Sequence, residues 1–142
     1  MNLLRLLGIA RLPFGADALI PPNQRVLVCE HLFCSITFRN FRAPGRACDW
    51  NRQWFAGSIA VSDRHIIAFR GRRRLVNTAF DDPRFLGISF TADDCNLYIT
   101  HDAGLYRDDW SGQIDYRFHT REAEQIATIA RDASIANVAM LK

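Results

Sequence analysis

Histidine and cysteine side chains can hold a metal ion or act as nucleophiles, and this chain has four of each. They are His31, His65, His101, His119, Cys29, Cys34, Cys48 and Cys95. A zinc site needs ligands that converge, but these residues are scattered over different predicted strands and loops, without a C-x-x-C pair. We therefore predict no metal site, no cofactor, and cysteines that stay reduced in the cytoplasm. Cys29 and Cys34 are five residues apart and should face opposite sides of one strand.

The sequence also lacks motifs that would mark catalysis. Asp102, Asp108 and Asp109 do not have the spacing of a calcium loop or its closing glutamate. No glycine-rich phosphate loop occurs, and no nucleophile lies in a recognisable strand–turn–helix elbow. We predict that the protein is not an enzyme. The alternative is a site assembled from distant strands, which a deep pocket with converging polar groups would reveal.

Arginine is the other residue type that could carry chemistry, because Lys142 is the only lysine among 18 basic residues. Its planar guanidinium suits phosphate and carboxylate recognition. We take two groups as candidate anion-binding residues: Arg39, Arg42 and Arg46, and Arg72, Arg73 and Arg74. The alternative is an arginine-rich composition without a site. A net charge of +3 does not by itself indicate nucleic acid.

These residues must be positioned by a mainly β domain. Alternating apolar residues predict seven strands, at 28–38, 54–61, 64–70, 74–80, 84–90, 95–100 and 114–118. Residues 39–53 are predicted to form a long polar loop around Pro44-Gly45. From Thr120 to Asn137 the apolar residues recur at helical spacing. A seven-stranded antiparallel sheet can curl into a barrel that removes its open edges, and the C-terminal α-helix can cap it.

The predicted organisation is an N-terminal apolar segment and linker at residues 1–24, followed by the barrel and its helix at residues 25–142. The first segment is too short and too interrupted by arginine to span a bilayer. We expect a helix that packs on the domain, with an amphipathic membrane anchor or a signal peptide as alternatives.

The segment Gly57–Phe69, GSIAVSDRHIIAF, predicts an aliphatic strand, a Ser-Asp-Arg turn and a second aliphatic strand. It resembles the bacterial pleckstrin-homology-like (PH-like) domains, which are related in pattern to GRAM domains. The run Arg72–Val76 and the terminal helix fit the same pattern, so the resemblance covers residues 25–137. It implies a seven-stranded PH-like barrel capped by a helix and frequent homo-oligomers, and it does not imply catalysis. It also implies head-group binding by basic residues of the first loop, where Arg39, Arg42 and Arg46 lie.

The predicted turns separate charge, because successive turns of an antiparallel meander lie at opposite ends of the sheet. One end should carry Arg39, Arg42, Arg46, Arg52, Arg70, Arg72, Arg73 and Arg74. The other should carry Asp63, Asp81, Asp82, Asp93 and Asp94. The last loop adds Asp102, Asp108 and Asp109 beside Arg107 at the basic end. The alternative is therefore a solvated rim of mixed charge.

Together these features predict a cytoplasmic interaction or scaffold domain that binds protein, or itself, through its rim or strand surface. The alternative is a domain peripheral to the membrane, which binds anionic lipid through the arginine-rich rim. Trp50, Trp54 and Phe41 would then anchor at the interface, or else pack locally. Nucleic acid is not expected, because the strand aromatics, such as Phe55 and Phe69, are predicted to face inward.

Overall fold

A computed structural model describes the backbone of residues 25–141 and the side chains of residues 27–138. The predictions for residues 1–24 lie outside this part of the chain. In the described residues the chain forms seven strands followed by one α-helix. They are β1 (Arg25–Ala43), β2 (Arg46–Ser62), β3 (His65–Arg70), β4 (Arg73–Ala79), β5 (Ile88–Ala92), β6 (Asn96–Asp102), β7 (Ser111–His119) and α1 (Ala123–Leu141).

The strands form one antiparallel sheet in the order β4-β3-β2-β1-β7-β6-β5. The sheet curls into a half-barrel, and the predicted mainly β class with a C-terminal helix is confirmed. The core lies on its inner face, where Cys34, Ile59, Leu97, Ile99 and Phe118 are buried. The central strand β1 pairs with both β2 and β7, so it positions residues on both halves of the sheet.

The predicted loop at residues 39–53 is wrong, because β1 and β2 continue as a paired hairpin up to Pro44-Gly45. Phe41 anchors the extension by burying its ring in the core. Asn40 adopts a positive φ of 49°, a conformation that Asn tolerates better than most residues, beside a register shift between β1 and β7. This irregularity interrupts the alternation of inward and outward side chains on which the strand prediction depends. The polar residues that suggested a loop face solvent from one side of a strand.

A second irregularity lies at His31, which has a φ of 60° next to a register shift between Cys29 and Leu32. The extra residue changes which side chains face inward. Cys29 and Cys34 are therefore both buried in the core, and the prediction that they face opposite sides is wrong. All four cysteines are free.

Two alternation patterns also differ from the predictions. In β3, Ile66 and Ala68 belong to the core cluster, because they pair with the inward residues of β2, whereas Ile67 and Phe69 are buried on the other side of the strand. The predicted strand at 84–90 begins with a one-turn 3-10 helix, Pro83–Gly87. This turn buries Phe85 in place of Leu86.

Helix α1 packs against β5, β6 and the 3-10 turn. Ile126 and Ala130 are buried against them, as the helical period predicts. The helix begins later than predicted, because the Thr120 hydroxyl accepts a hydrogen bond from the Glu122 N–H in a turn before the first helical residue. Near its other end, Asn137 donates from Nδ2 to the carbonyl oxygens of Phe80 and Asp82, at 2.7 and 3.1 Å.

Candidate functional site

A cavity of about 640 Å³ opens on the inner face of the half-barrel, at the end where the hairpins β1–β2 and β3–β4 turn. Apolar and aromatic side chains form one part of its lining, among them Ile36, Phe38, Ile114 and Tyr116. Six arginines line it as well: Arg46, Arg70, Arg73, Arg74, Arg84 and Arg107. No Asp or Glu is among the lining residues that the structure describes. We call this feature the arginine cavity.

Aromatic rings hold several of these guanidinium groups in place. Arg46 lies over Phe41, with its Cζ 5.8 Å from the ring centroid, and Arg107 lies 4.8 Å above Trp110. Arg70 lies 5.4 Å above Phe55 and donates a 3.0 Å hydrogen bond to Gln53 Oε1. An aromatic ring contacts the flat face of the guanidinium. The N–H donors point outward in the guanidinium plane, so they can still bind an anion.

Within residues 27–138, the positive charge of the cavity is largely uncompensated. Arg84 forms a 2.8 Å ion pair with Asp82 and holds the pKa of that carboxyl below its usual value. No described carboxylate forms an ion pair with any of the other five lining arginines. This ion pair joins near neighbours in the sequence, so the predicted separation of a basic and an acidic end stays a prediction.

His101 adds one neutral acceptor to the cavity wall. Its Nδ1 lies 2.7 Å from the Asp102 carbonyl oxygen, so Nδ1 carries the proton and donates it there. Burial lowers the pKa of the imidazole, which favours the neutral form. Nε2 is buried and has no hydrogen-bond partner among the residues that the structure describes. The lone pair of Nε2 can therefore accept a hydrogen bond from a hydroxyl or amide group of a ligand.

The six arginines singled out in the sequence divide between several places. Arg46, Arg73 and Arg74 meet in the cavity. Arg39 lies on the outer face of the sheet, 2.7 Å from Asp115, and Arg42 pairs with Asp49 at 3.1 Å. Arg72 is exposed in the turn between β3 and β4 and lines neither this cavity nor the depression on the outer face.

Arg70, Arg84 and Arg107 are cavity residues that the candidate set missed. Arg70 has the same parity along β3 as the inward Ile66 and Ala68, so the correct alternation of β3 would have indicated it. Arg84 and Arg107 come from connections between strands, where alternation gives no signal.

The outer face of the sheet carries a second constellation. Trp50, Arg52 and Trp54 lie on one side of β2, and the two indole side chains are 59% and 62% exposed. Arg52 lies 5.3 Å above Trp50, and Arg117 of β7 lies 5.1 Å above Trp54. The prediction of a loop at 39–53 hid this arrangement. We call Trp50, Arg52, Trp54 and Arg117 the tryptophan face.

Among the described residues, no three His, Cys, Asp or Glu side chains come together in a way that could hold a metal ion. In the same part of the chain, no helix is both long enough and apolar enough to span a bilayer. The comparisons with known proteins match the chain neither to a family model nor to a curated protein. The resemblance to PH-like domains therefore stays a prediction.

Proposed function

We propose that this protein is a binding domain for an anionic amphiphile, a molecule with a phosphate or carboxylate head and an apolar body. The observation that carries the proposal is the set of six arginines beside apolar and aromatic side chains, without a carboxylate among the described lining residues. The head would bind to the guanidinium edges, and the apolar part would contact Ile36, Phe38 and Ile114. An anionic membrane lipid is the source that we favour, in keeping with the membrane-surface alternative.

The dimensions and chemistry of the cavity support this ligand class. Its volume of about 640 Å³ lies within the range of about 300–1,000 Å³ typical of small-molecule sites. Several guanidinium groups can each give paired hydrogen bonds to one phosphate or carboxylate. Near an anionic leaflet, each arginine also contributes about 1 kcal/mol of electrostatic attraction.

Vesicle co-sedimentation tests the proposal, with anionic phosphatidylglycerol vesicles compared with neutral phosphatidylcholine vesicles. We expect binding to the anionic vesicles only. The double substitution Arg73→Ala, Arg74→Ala should weaken binding by about 100-fold or more, because a hydrogen bond from each guanidinium to a charged head is worth about 1.5–3 kcal/mol. A soluble lysophospholipid and inorganic phosphate form two further arms, which distinguish a lipid from a free anion.

Arg72→Ala is the matched control, because Arg72 directly precedes Arg73 but does not line the cavity. A cavity ligand predicts little loss for this variant with the soluble lysophospholipid, and about fivefold on anionic vesicles from the attraction of the leaflet alone. An equal loss of affinity per arginine at Arg72 would mean that binding is a general property of the basic surface, and it would overturn the cavity as the site.

Binding to protein or to itself, the main expectation from the sequence, stays a prediction. Light scattering at low and high salt tests it, because rim charges interact over only about 8 Å at 0.15 M ionic strength. Self-association that loosens with salt and is lost in Arg72→Glu, Arg73→Glu would support it. A monomer at low salt would contradict it.

A further inference from the structure

The tryptophan face lies on the side of the sheet opposite the arginine cavity. Trp50, Arg52 and Trp54 alternate along β2, and at about 3.3 Å per residue the two Trp Cα atoms are about 13 Å apart. Pairing across the sheet brings Arg39, Thr37 and Ser35 of β1 next to these three residues. The result is an exposed, nearly regular array of aromatic and polar side chains on neighbouring strands.

The guanidinium groups are ordered within this array. Ser35 is the Cα partner of both Trp54 and Arg117, and its small side chain lets Arg117 reach over the Trp54 ring. Arg52 donates from Nε to Thr37 Oγ1 at 3.1 Å while it lies over Trp50. Each indole is thus layered with a guanidinium whose remaining N–H donors can bind a phosphate or a base edge.

The charge of the face is positive. Asp115 is the one carboxylate lining the adjoining depression of about 340 Å³, among the residues that the structure describes. Asp115 forms an ion pair with Arg39, and it also accepts hydrogen bonds from Thr100 and Gln113. Arg52 and Arg117 have no ion-pair partner among the described residues.

We propose that the tryptophan face binds single-stranded nucleic acid. Exposed bases would stack on the indole and guanidinium planes, and the phosphates would bind to Arg52 and Arg117. A neutral sugar could stack on the indole rings but would have no use for the positive charge of the guanidinium groups. A nucleic acid strand would use both, because its bases stack and its phosphates carry negative charge. The earlier expectation against nucleic acid assumed inward aromatics, and Trp50 and Trp54 do not fit that assumption.

Fluorescence anisotropy with the full chain tests this proposal. The probes are labelled 12-nucleotide oligo-uridine and oligo-deoxythymidine, with a 12-base-pair duplex of mixed sequence for comparison, at 50 mM and 200 mM salt. We expect both single strands to bind more tightly than the duplex, with quenching of tryptophan fluorescence. A preference for the RNA strand would add a contact to the 2′-hydroxyl group.

Trp54→Ala and Trp50→Ala should each weaken binding by about 5- to 150-fold, the range that corresponds to about 1–3 kcal/mol of stacking per base. Trp54→Phe should retain most of the affinity. Arg52→Ala should lower both the affinity and the slope of its logarithm against log salt, by about one unit of slope. Arg72→Ala, away from the face, is the matched control and should change affinity by less than twofold.

Four results would overturn the proposal: no binding by the wild type at 50 mM salt, tighter binding to the duplex, unchanged affinity in both Trp→Ala variants, or equal losses in Arg52→Ala and Arg72→Ala. If the two Trp variants instead convert a self-associating protein into a monomer without changing oligonucleotide binding, the face is a protein interface. Circular dichroism melting of each variant shows whether a loss reflects unfolding, and Arg52→Ala, with its expected change in salt dependence, keeps the test decisive if a Trp→Ala variant does not fold.

Discussion

Asn137 joins the end of α1 to the connection between β4 and β5, and replacing it should measurably loosen the fold. Its side chain is 4% exposed, and Nδ2 donates to the carbonyl oxygens of Phe80 and Asp82. The Asp82 oxygen keeps a second donor, the Phe85 N–H at 3.0 Å. Asn137→Ala therefore removes two hydrogen bonds. Loss of the bond to Asp82 costs about 0.5–1.5 kcal/mol, and loss of the bond to Phe80 leaves that buried carbonyl without this donor at a cost of about 1–3 kcal/mol.

The expected loss for Asn137→Ala is roughly 2–4 kcal/mol in the free energy of unfolding, or roughly 5–15 °C in Tm. Urea denaturation and calorimetry measure it. Ile135→Ala is the control on the same helix, because it removes a larger apolar side chain that is 70% exposed and should cost less than about 0.5 kcal/mol. If the two variants melt within about 1 °C of each other, the contact does not hold the helix to the sheet as described.

Two further predictions concern buried titratable groups. Because burial lowers the pKa of His101 below its usual 6.5, the unfolded chain binds a proton near pH 6.5 that the folded chain does not, so the free energy of unfolding should fall as the pH drops below that value. Urea denaturation at pH 7.5 and 5.5 should show a smaller drop in His101→Phe than in the wild type, and an identical drop would refute this. Burial raises the pKa of the Cys29 and Cys34 thiols to about 11 and about 12, so iodoacetamide at pH 8 should alkylate the exposed Cys95 first. Mass spectrometry that finds Cys34 labelled as fast as Cys95 would contradict that burial.

The sequence predicts the sheet well where one face of each strand is apolar without interruption. The alternation in β6 and β7 places Leu97, Ile99 and Phe118 inward, and the structure agrees. The helical period likewise identifies the buried Ile126. In these elements the local sequence pattern and the tertiary packing agree on which side chains face the core.

The remaining differences have a common physical cause, which is backbone geometry that changes the period. The irregularities at His31 and Asn40 and the 3-10 turn at Phe85 each move side chains to the other face or add a residue. Trp50 lies across the β1–β2 pairing from the irregularity at Asn40. Arg70 was missed for another reason: both faces of β3 are buried, so its alternation does not show which face is inward. Only half of the singled-out arginines, Arg46 among them, reach the cavity, since a turn brings residues near one another without fixing their direction.

The central strand β1 serves both surfaces at once. Ile36 and Phe38 contribute to the lining of the cavity, whereas Thr37 lies on the outer side and holds Arg52 in place. A ligand on either side therefore acts on the same stretch of backbone. Thermodynamic linkage requires that, if one ligand changes the affinity for the second by some factor, the second changes the affinity for the first by the same factor. A binding isotherm for the amphiphile, measured with and without oligonucleotide, would thus give the coupling free energy between the two faces of one strand.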